Sequence, residues 1–375
     1  MTRLAIDGGR PIRSTPFPVY QTMGREERDA VNRVLDSGVL SQFLGTWSAD
    51  FNGGPRVQEL ERKWAEYFGV RHAISVNSAT SGLYAAIGAL DLNPGDEVIV
   101  SPYTMSASAA GIMLYNGVPV FADIDPATYC LSPASVRRAI TPRTRAIMIP
   151  DIFGHPADFD AFQLLAREHG LVLIEDAAQA PGARYRGRWA GTLGHMGVFS
   201  LNYHKTIHSG EGGVIVTDND DLADRLRLIR NHGEAVVKAM GAPHLSHIIG
   251  FNYRMTEIEA AIATVQLGRL EGLTTPREEA TAYLRERWAG LPGITPATTA
   301  TDCRHAWYVM ALQVDSAELG TTRDWLVEAL AAEGVPFGRG YVEPLYLQPI
   351  YQQRAFAAAT GSRVSYARGL CPVTE

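Results

Sequence analysis

One stretch of the chain carries both a strand and chemically useful side chains, and it reads Leu171-Val172-Leu173-Ile174-Glu175-Asp176-Ala177-Ala178-Gln179. Its apolar part does not alternate with polar residues, which is typical of a strand covered on both faces. The acidic residues and the glutamine follow at the carboxyl end of this strand, where open α/β sheets bind their ligands. The stretch therefore predicts a buried strand and one wall of a binding site.

Similar apolar runs lie on both sides of this stretch, and helical segments separate them. Candidate strands cover residues 72–76, 97–100, 118–122, 146–149, 171–174 and 214–216. Candidate helices between them cover residues 81–90, 106–115, 133–140 and 158–169. This alternation indicates an α/β fold, in which helices sandwich a mostly parallel central sheet and the crossovers are right-handed.

The pattern changes after helix candidates at 220–230 and 257–270. A half-buried strand at 306–314 precedes a helix that starts with the cap-like residues 321–324 and ends near Gly334. These elements predict a smaller C-terminal α+β domain. We therefore divide the chain into a large domain, 1–269, which includes an N-terminal arm, and a small domain, 270–375.

Composition favours small-molecule chemistry. The 375 residues are 46% hydrophobic and 20% charged, and their net charge of -6 offers no general attraction for nucleic acid or anionic membranes. Three widely spaced cysteines argue against a disulfide framework and a zinc site. Because we also find no secretory signal and no apolar run of about 20 residues, we expect a cytoplasmic protein without metal, nucleic acid or membrane partners.

Two charged residues at predicted strand ends suggest a specific cofactor. Asp176 ends one strand, and Lys205 lies between another apolar strand and the Gly-rich turn 210–213. Pyridoxal phosphate needs a lysine for its aldehyde and an acid for its ring nitrogen. Taken alone, Lys205 would be a solvated surface lysine and Asp176 a turn or N-cap residue, so the hypothesis depends on their occurrence together.

A phosphate group needs donors with little steric bulk. Ser78, Ala79 and Thr80 come just before the candidate helix 81–90, and a helix N-terminus offers backbone N–H groups and a favourable dipole. Ser200 is a second hydroxyl donor at a strand end. Ordinary capping by serine or threonine remains an equally good explanation at this point.

In this order, the motifs resemble the DegT/DnrJ/EryC1/StrS family of aminotransferases, which act on keto-sugars and cyclitols. The resemblance covers nearly the whole chain and rests on the segments 9–13, 94–99, 174–179 and 250–255. It implies a fold type I pyridoxal phosphate enzyme and a homodimer with shared active sites. Lys205 would form the Schiff base with the cofactor, and amino transfer would run in two half-reactions with glutamate or glutamine as donor.

The resemblance also assigns roles around the cofactor. Ala79, Thr80 and Ser200 would hold the phosphate, Gln179 would face the phenolic oxygen, and Asn252 would reach the phosphate from the partner subunit. Met105 stands where the family usually has an aromatic residue that stacks on the ring. The chain also ends at Glu375, where relatives usually continue into a strand and a helix, so we expect a missing tail.

The acceptor is less well determined by the sequence. Segment 340–346 resembles a loop of the branch that aminates inosose-type cyclitols, and the candidate substrate contacts are Tyr203, His204 and Tyr341. The acceptor would be a keto-sugar, with a nucleotide-linked one favoured, or a keto-cyclitol. Such products serve the biosynthesis of aminosugars for polysaccharides or antibiotics. Candidate cations for a diphosphate are Arg184, Arg186, Arg304 and Arg339.

Two other functions remain open at this stage. Dehydratases and aromatising enzymes of the same fold use the same cofactor for elimination, although the deoxysugar dehydratases replace the lysine that is present here as Lys205. A non-catalytic regulatory protein could also retain the fold. Retention of Asp176, Gln179 and Lys205 together argues against such a protein.

Overall fold

The computed structural model describes residues 3–353, and a seven-stranded sheet lies at its centre. The strands of this sheet are β1 (His72–Val76), β2 (Glu97–Val100), β3 (Val118–Phe121), β4 (Thr144–Pro150), β5 (Val172–Asp176), β8 (Met196–Ser200) and β9 (Gly213–Thr217). Short strands outside it are β6 (Arg184–Tyr185), β7 (Arg188–Trp189), β10 (Ile294–Pro296), β11 (Cys303–Arg304) and β12 (Leu312–Val314).

Helices cover both faces of the sheet. The α-helices of residues 3–353 are α1 (Arg25–Ser37), α2 (Pro55–Phe68), α3 (Ala79–Gly88), α4 (Ala107–Leu114), α5 (Pro133–Ala139), α6 (Phe159–His169), α7 (Asp220–Arg230), α8 (Val237–Met240), α9 (Glu257–Gly268), α10 (Leu270–Trp288), α11 (Ser316–Leu319), α12 (Arg323–Ala332) and α13 (Pro349–Gln352). Helix α10 begins at Leu270, the first residue of the proposed small domain, and the division into two domains stays a prediction.

The sheet is mostly parallel, as the sequence predicts. Its strand order is β1-β9-β8-β5-β4-β2-β3, and β9 alone runs antiparallel to its two neighbours in this sheet. The carboxyl ends of β1, β2, β4, β5 and β8 therefore meet at one edge. This edge brings together the polar residues that follow the strands in the sequence.

The absence of alternation in the strands follows from burial on both faces. Met148 packs into a core with α3, α4 and α7, whereas its neighbours Ile147 and Ile149 pack into another core with α5 and α6. All three side chains are 0% exposed. Because successive side chains point to opposite faces of a strand, apolar layers on both sides require a continuous apolar run.

The strand predicted at 306–314 is wrong over most of its length. Only β12, Leu312–Val314, is a strand in this segment. The backbone N–H groups of Ala306 and Val309 donate instead to the carbonyls of Gly154 and Phe153, 2.8 and 3.3 Å away. A tertiary contact therefore replaces the sheet pairing that the apolar pattern suggests.

The N-terminal arm, residues 3–24, links distant parts of the fold. The backbone N–H groups of Ala5 and Ile12 donate to the Glu333 carboxylate at the end of α12, at 2.7 and 2.9 Å. Further along the arm, the Tyr20 hydroxyl donates to the carbonyl of Thr206 at 3.0 Å. The arm therefore connects the C-terminal part of the chain with the loop that contains Lys205.

Candidate active site

A cavity of about 300 Å³ opens at the edge where the parallel strands end. Most residues that the sequence singles out line it, namely Ser78, Ala79, Thr80, Met105, Asp176, Gln179, Ser200, His204, Lys205 and Tyr341. A larger groove of about 800 Å³ lies beside the edge strand β3, but its described lining contains no lysine or serine. The smaller cavity is therefore the candidate site.

Lys205 is the one buried lysine of the chain. The sequence contains three lysines, all within residues 3–353, and Lys63 and Lys238 are partly or fully exposed, whereas Lys205 is 8% exposed. Burial lowers the pKa of Lys205 to about 8, and the nearby Asp176 carboxylate partly opposes this shift. A buried amine with this pKa exchanges protons near neutral pH.

Asp176 ends β5 and is held from two sides. The Ser108 hydroxyl donates to its Oδ2 at 2.7 Å, and the Ala178 N–H donates to its Oδ1 at 3.2 Å. Burial raises the pKa of Asp176, while these hydrogen bonds and the positive charge of Lys205 act in the opposite direction. A cationic group bound in the cavity would hold this carboxylate in its charged form.

The N-terminus of α3 forms one end of the cavity. Ser78 caps the helix, because the Ser81 N–H donates to its Oγ at 3.0 Å, so Ala79 and Thr80 occupy the first turn. Strand β9 approaches this turn closely: a Cβ at Gly213 would lie 2.7 Å from the Ala79 nitrogen. Because Gly213 has no side chain, the start of α3 can lie directly against β9. The helix dipole favours an anion at this helix N-terminus.

Gln179 and Tyr341 form a wall of the cavity. Gln179 Nε2 donates to the Tyr341 hydroxyl at 2.6 Å, and Gln179 Oε1 accepts from the Phe153 N–H at 2.7 Å. Burial, with a contribution from Asp176, raises the pKa of Tyr341 to about 12, so this hydroxyl stays neutral. These two hydrogen bonds fix the orientation of the Gln179 amide, which lines the cavity.

Two predicted residues do not line this cavity. Tyr203 is 68% exposed, and its ring lies 5.1 Å from that of His204. Asn252 is exposed as well, and its Oδ1 accepts from Arg254 Nε at 2.8 Å. Arg254 thus braces this loop, and Asn252 projects from the surface of the single chain.

The sequence analysis missed several side chains of the site. Ser108 holds Asp176, Asn202 and Glu211 line the cavity and bond to each other at 2.9 Å, and Lys205 Nζ lies 4.6 Å from the centre of the Tyr308 ring. Ser108 could have been found from its position at the start of the helix that follows β2 and the polar residues 101–104. Tyr308 carried no such signal, because its segment reads as an ordinary strand.

A pair of buried carboxyl groups lies beside the cavity. Glu175 and Asp151 are both 0% exposed, and each carboxyl group influences the pKa of the other. Glu175 also accepts backbone N–H groups from Gly191, Leu193 and Gly194, whereas Asp151 accepts one, from Ala157. Burial and the adjacent Glu175 raise the pKa of Asp151, so Asp151 carries the proton of the pair.

These groups fit pyridoxal phosphate. A buried amine, a buried carboxylate and a helix N-terminus in one cavity match its aldehyde, its ring nitrogen and its phosphate. Within residues 3–353, no three His, Cys, Asp or Glu side chains are grouped so that they could hold a metal ion. None of the helices in this range combines the length and the apolar character that crossing a lipid bilayer requires.

Comparisons with known proteins agree with this site. The sequence model of the DegT/DnrJ/EryC1/StrS aminotransferase family matches residues 21–372. GDP-perosamine synthase of Caulobacter vibrioides is 38% identical over 330 residues, which cover 88% of this chain and 85% of that protein. L-glutamine:2-deoxy-scyllo-inosose aminotransferase of Streptoalloteichus tenebrarius is 36% identical over 389 residues, covering 99% of this chain and 90% of that protein.

Solved structures lead to the same group of proteins. The crystal structure of DesI in the presence of its TDP-sugar product matches with a TM-score of 0.79 and 36% identity, covering 92% of this chain and 86% of that one. The fold, the donor set of the cavity and the match along nearly the whole chain therefore agree. The chain belongs to the DegT/DnrJ/EryC1/StrS aminotransferase family, and it is a fold type I aminotransferase with pyridoxal phosphate as its cofactor.

Proposed function

We propose that this aminotransferase moves an amino group from glutamate or glutamine to the keto group of a nucleotide-linked sugar or a cyclitol. The observation that carries the proposal is the burial of Lys205 and Asp176 in one cavity at the ends of the strands. Two relatives with 36–38% identity are named for a GDP-linked sugar and for an inosose, and these names support the two acceptor classes.

Lys205 would bind the cofactor and move the proton. When bound, pyridoxal phosphate supplies an aldehyde carbon for an amine and a cationic ring that withdraws electrons from the reacting carbon. The pKa of about 8 lets Lys205 Nζ accept and return a proton near neutral pH. Asp176 Oδ1 and Oδ2 would stabilise the positive ring nitrogen, and Ser108 keeps this carboxylate in place.

The remaining cofactor contacts follow from the cavity lining. The backbone N–H groups of Ala79 and Thr80 and the hydroxyls of Thr80 and Ser200 would hold the phosphate at the start of α3. Ser78 supports this end as the helix cap, and Gln179 would donate to the phenolic oxygen with its second amide hydrogen. Met105 would contact the ring with its flexible thioether.

A second copy of the chain would complete the site. Asn252 is exposed although the family assigns it to the phosphate, and the apolar side chains of Met105 and Tyr203 are 56% and 68% exposed beside the cavity. An exposed apolar surface next to an incomplete polar site is typical of an interface between subunits. We therefore infer a homodimer whose two sites are shared.

The choice between the acceptor classes depends on phosphate contacts. The four arginines considered for a diphosphate all have other partners: Arg186 pairs with Asp160, Arg304 with Glu271 and Glu278, Arg339 with Glu328, and Arg184 stacks on Trp189. None of them lines the cavity. None of these four arginines is therefore placed to bind a diphosphate inside the cavity, whereas a cyclitol would need no such contact.

A reducing compartment, the cytoplasm, suits the described cysteines. Cys130 and Cys303 are free thiols, and burial raises the pKa of both. A raised pKa keeps both thiols protonated and unreactive, which is compatible with a reducing compartment.

Labelled donors test the proposed reaction. The holoenzyme is incubated with [α-15N]glutamine or [15N]glutamate and with a panel of nucleotide-linked keto-sugars and inososes, and mass spectrometry measures 15N in the product. We expect label transfer to one acceptor class, its loss in Lys205→Ala, and its retention in the surface control Lys238→Ala. A product formed without nitrogen would favour elimination or aromatisation, and transfer by Lys205→Ala would refute the role of Lys205.

A further inference from the structure

The ring of Tyr308 faces the catalytic lysine. Lys205 Nζ lies 4.6 Å from the centre of this ring, within the range of a cation–π interaction. Tyr308 is half-buried and lines the cavity. Its contact with Lys205 joins segments of the chain that are about 100 residues apart, so it results from the tertiary fold.

The position of Tyr308 is strongly constrained. The backbone N–H groups on either side of it, at Ala306 and Val309, donate to the carbonyls of Gly154 and Phe153. Trp307 has a φ of 49°, a left-handed conformation that a bulky residue rarely adopts, and this turn directs the chain toward the cavity. A Cβ at Gly154 would lie 3.1 Å from the Tyr308 nitrogen, so the two segments are packed at backbone distance.

The other groups around Lys205 differ from Tyr308 in how they could hold the Lys205 ammonium group. The titratable side chains that line the cavity with it are Asp151, Asp176, His204, Glu211 and Tyr341. Asp176 attracts the ammonium group, but its role is at the cofactor ring nitrogen. The negative face of the Tyr308 ring attracts the ammonium group without taking its proton, because a phenol ring presents no basic atom on its face.

We propose that Tyr308 is a positioning residue, which holds the protonated Lys205 side chain on its ring face between the two proton transfers. This inference rests on the proposed role of Lys205 as the proton carrier. The ring face would stabilise the charged amine and hold it at one side of the cavity, from which it can return the proton. The hydroxyl of Tyr308 is not needed for this role, since the interaction involves the face of the ring.

The test measures the titration of Lys205 in the full-length, cofactor-free protein. With [ε-13C]lysine, the chain shows three lysine signals, and Lys63 and Lys238 serve as internal references. The signal of Lys205 is assigned with Lys205→Ala. Two substitutions separate the ring from the hydroxyl: Tyr308→Phe keeps the aromatic face, and Tyr308→Leu removes it.

We expect the titration midpoint of the Lys205 amine to stay unchanged in Tyr308→Phe. In Tyr308→Leu it should fall by about one pH unit, because the ammonium form loses its attraction to the ring face. Replacement of Tyr308 by trifluorophenylalanine keeps the shape of the ring and weakens the negative charge on its face, so it must also lower the titration midpoint. This variant serves as the test if Tyr308→Leu does not fold. An unchanged midpoint with this replacement, or an equal fall in Tyr308→Phe, would overturn the proposal. These titrations do not depend on turnover, so failure of the proposed reaction would be seen separately.

Discussion

The carboxylate of Asp176 illustrates how single residues set the chemistry of the site. It is 7% exposed, and burial alone would favour its neutral form. Ser108 and the Ala178 N–H stabilise the charged form through hydrogen bonds of 2.7 and 3.2 Å. The charge at this point therefore depends on a helix residue, Ser108, that lies 68 positions earlier in the chain.

A pair of substitutions tests this arrangement. Asp176→Asn removes the negative charge and should lower kcat about 10²–10³-fold, since the ring nitrogen loses its counter-charge. Ser108→Ala removes one hydrogen bond to a charged group and should lower kcat only about tenfold. Steady-state kinetics and the dissociation constant of the cofactor measure both effects. Equal activity of Asp176→Asn and the wild type would contradict the role of Asp176.

At the level of elements, the pairing of β4 with β5 brings two buried acids together. Asp151 follows Pro150, whose register partner in β5 is Asp176, and the Asp151 N–H donates to the Asp176 carbonyl at 3.0 Å. Glu175 accepts three backbone N–H groups from the segment 191–194 and so ties β5 to the turn before β8. Burial and the nearby Glu175 raise the pKa of Asp151, which favours its protonated form.

The pH dependence of unfolding tests the protonation of Asp151. Because the folded state raises the pKa of Asp151, its contribution to the free energy of unfolding is present at low pH and is lost as the pH rises through the folded-state pKa. Asp151→Asn mimics the protonated acid, so its stability relative to the wild type should increase with pH. Urea unfolding from pH 5 to 9 measures this difference.

Glu175→Gln is the matched control for that experiment. It removes the carboxylate that accepts three backbone N–H groups, and we expect it to destabilise the protein by about 1–3 kcal/mol at every pH in the range. A stability difference between Asp151→Asn and the wild type that does not change with pH would show that Asp151 is not the protonated partner.

On the scale of the whole molecule, the single chain leaves part of the proposed site at its surface. Asn252 and Tyr203 are exposed, and exposed apolar side chains such as Trp47 and Ile249, 45% and 68% exposed, occur on segments outside the core. In a two-fold symmetric dimer, the same surface of each subunit faces the partner. A residue that projects from one chain can therefore complete the site of the other.

Mixing two inactive variants tests whether the sites are shared. Lys205→Ala and Asn252→Ala are each expected to lose most activity as homodimers. If Asn252 serves the partner's site, each mixed dimer contains one intact site, and a refolded equal mixture should recover about one quarter of the wild-type activity. Recovery of no activity, with mixed dimers shown by light scattering and mass spectrometry, would mean that Asn252 acts within its own chain, and full activity of Asn252→Ala alone would mean that Asn252 has no role in the site.

Much of the central sheet could be predicted because its signals are local. The predicted strand 72–76 and the helix 220–230 agree with β1 and α7 to the residue, whereas β5 begins one residue after the predicted strand 171–174 does and ends two residues later, at Asp176. Periodicity and capping depend on neighbouring residues, so they can be read from the sequence. The strand predicted at 306–314 does not form over most of this range, because backbone N–H groups of the segment donate to the distant carbonyls of Phe153 and Gly154.

The sequence by itself determined six of the seven strands of the central sheet, the helices between them, and the residue types Lys205 and Asp176 near strand ends. Only the tertiary structure decided that Tyr308 faces Lys205, that Gln179 donates a hydrogen bond to Tyr341 across 162 residues, and that Asp151 and Glu175 are buried close enough to influence each other's pKa. The physical reason is that repeating patterns express the local backbone geometry, whereas contacts between distant segments depend on which surfaces are buried against each other when the chain packs.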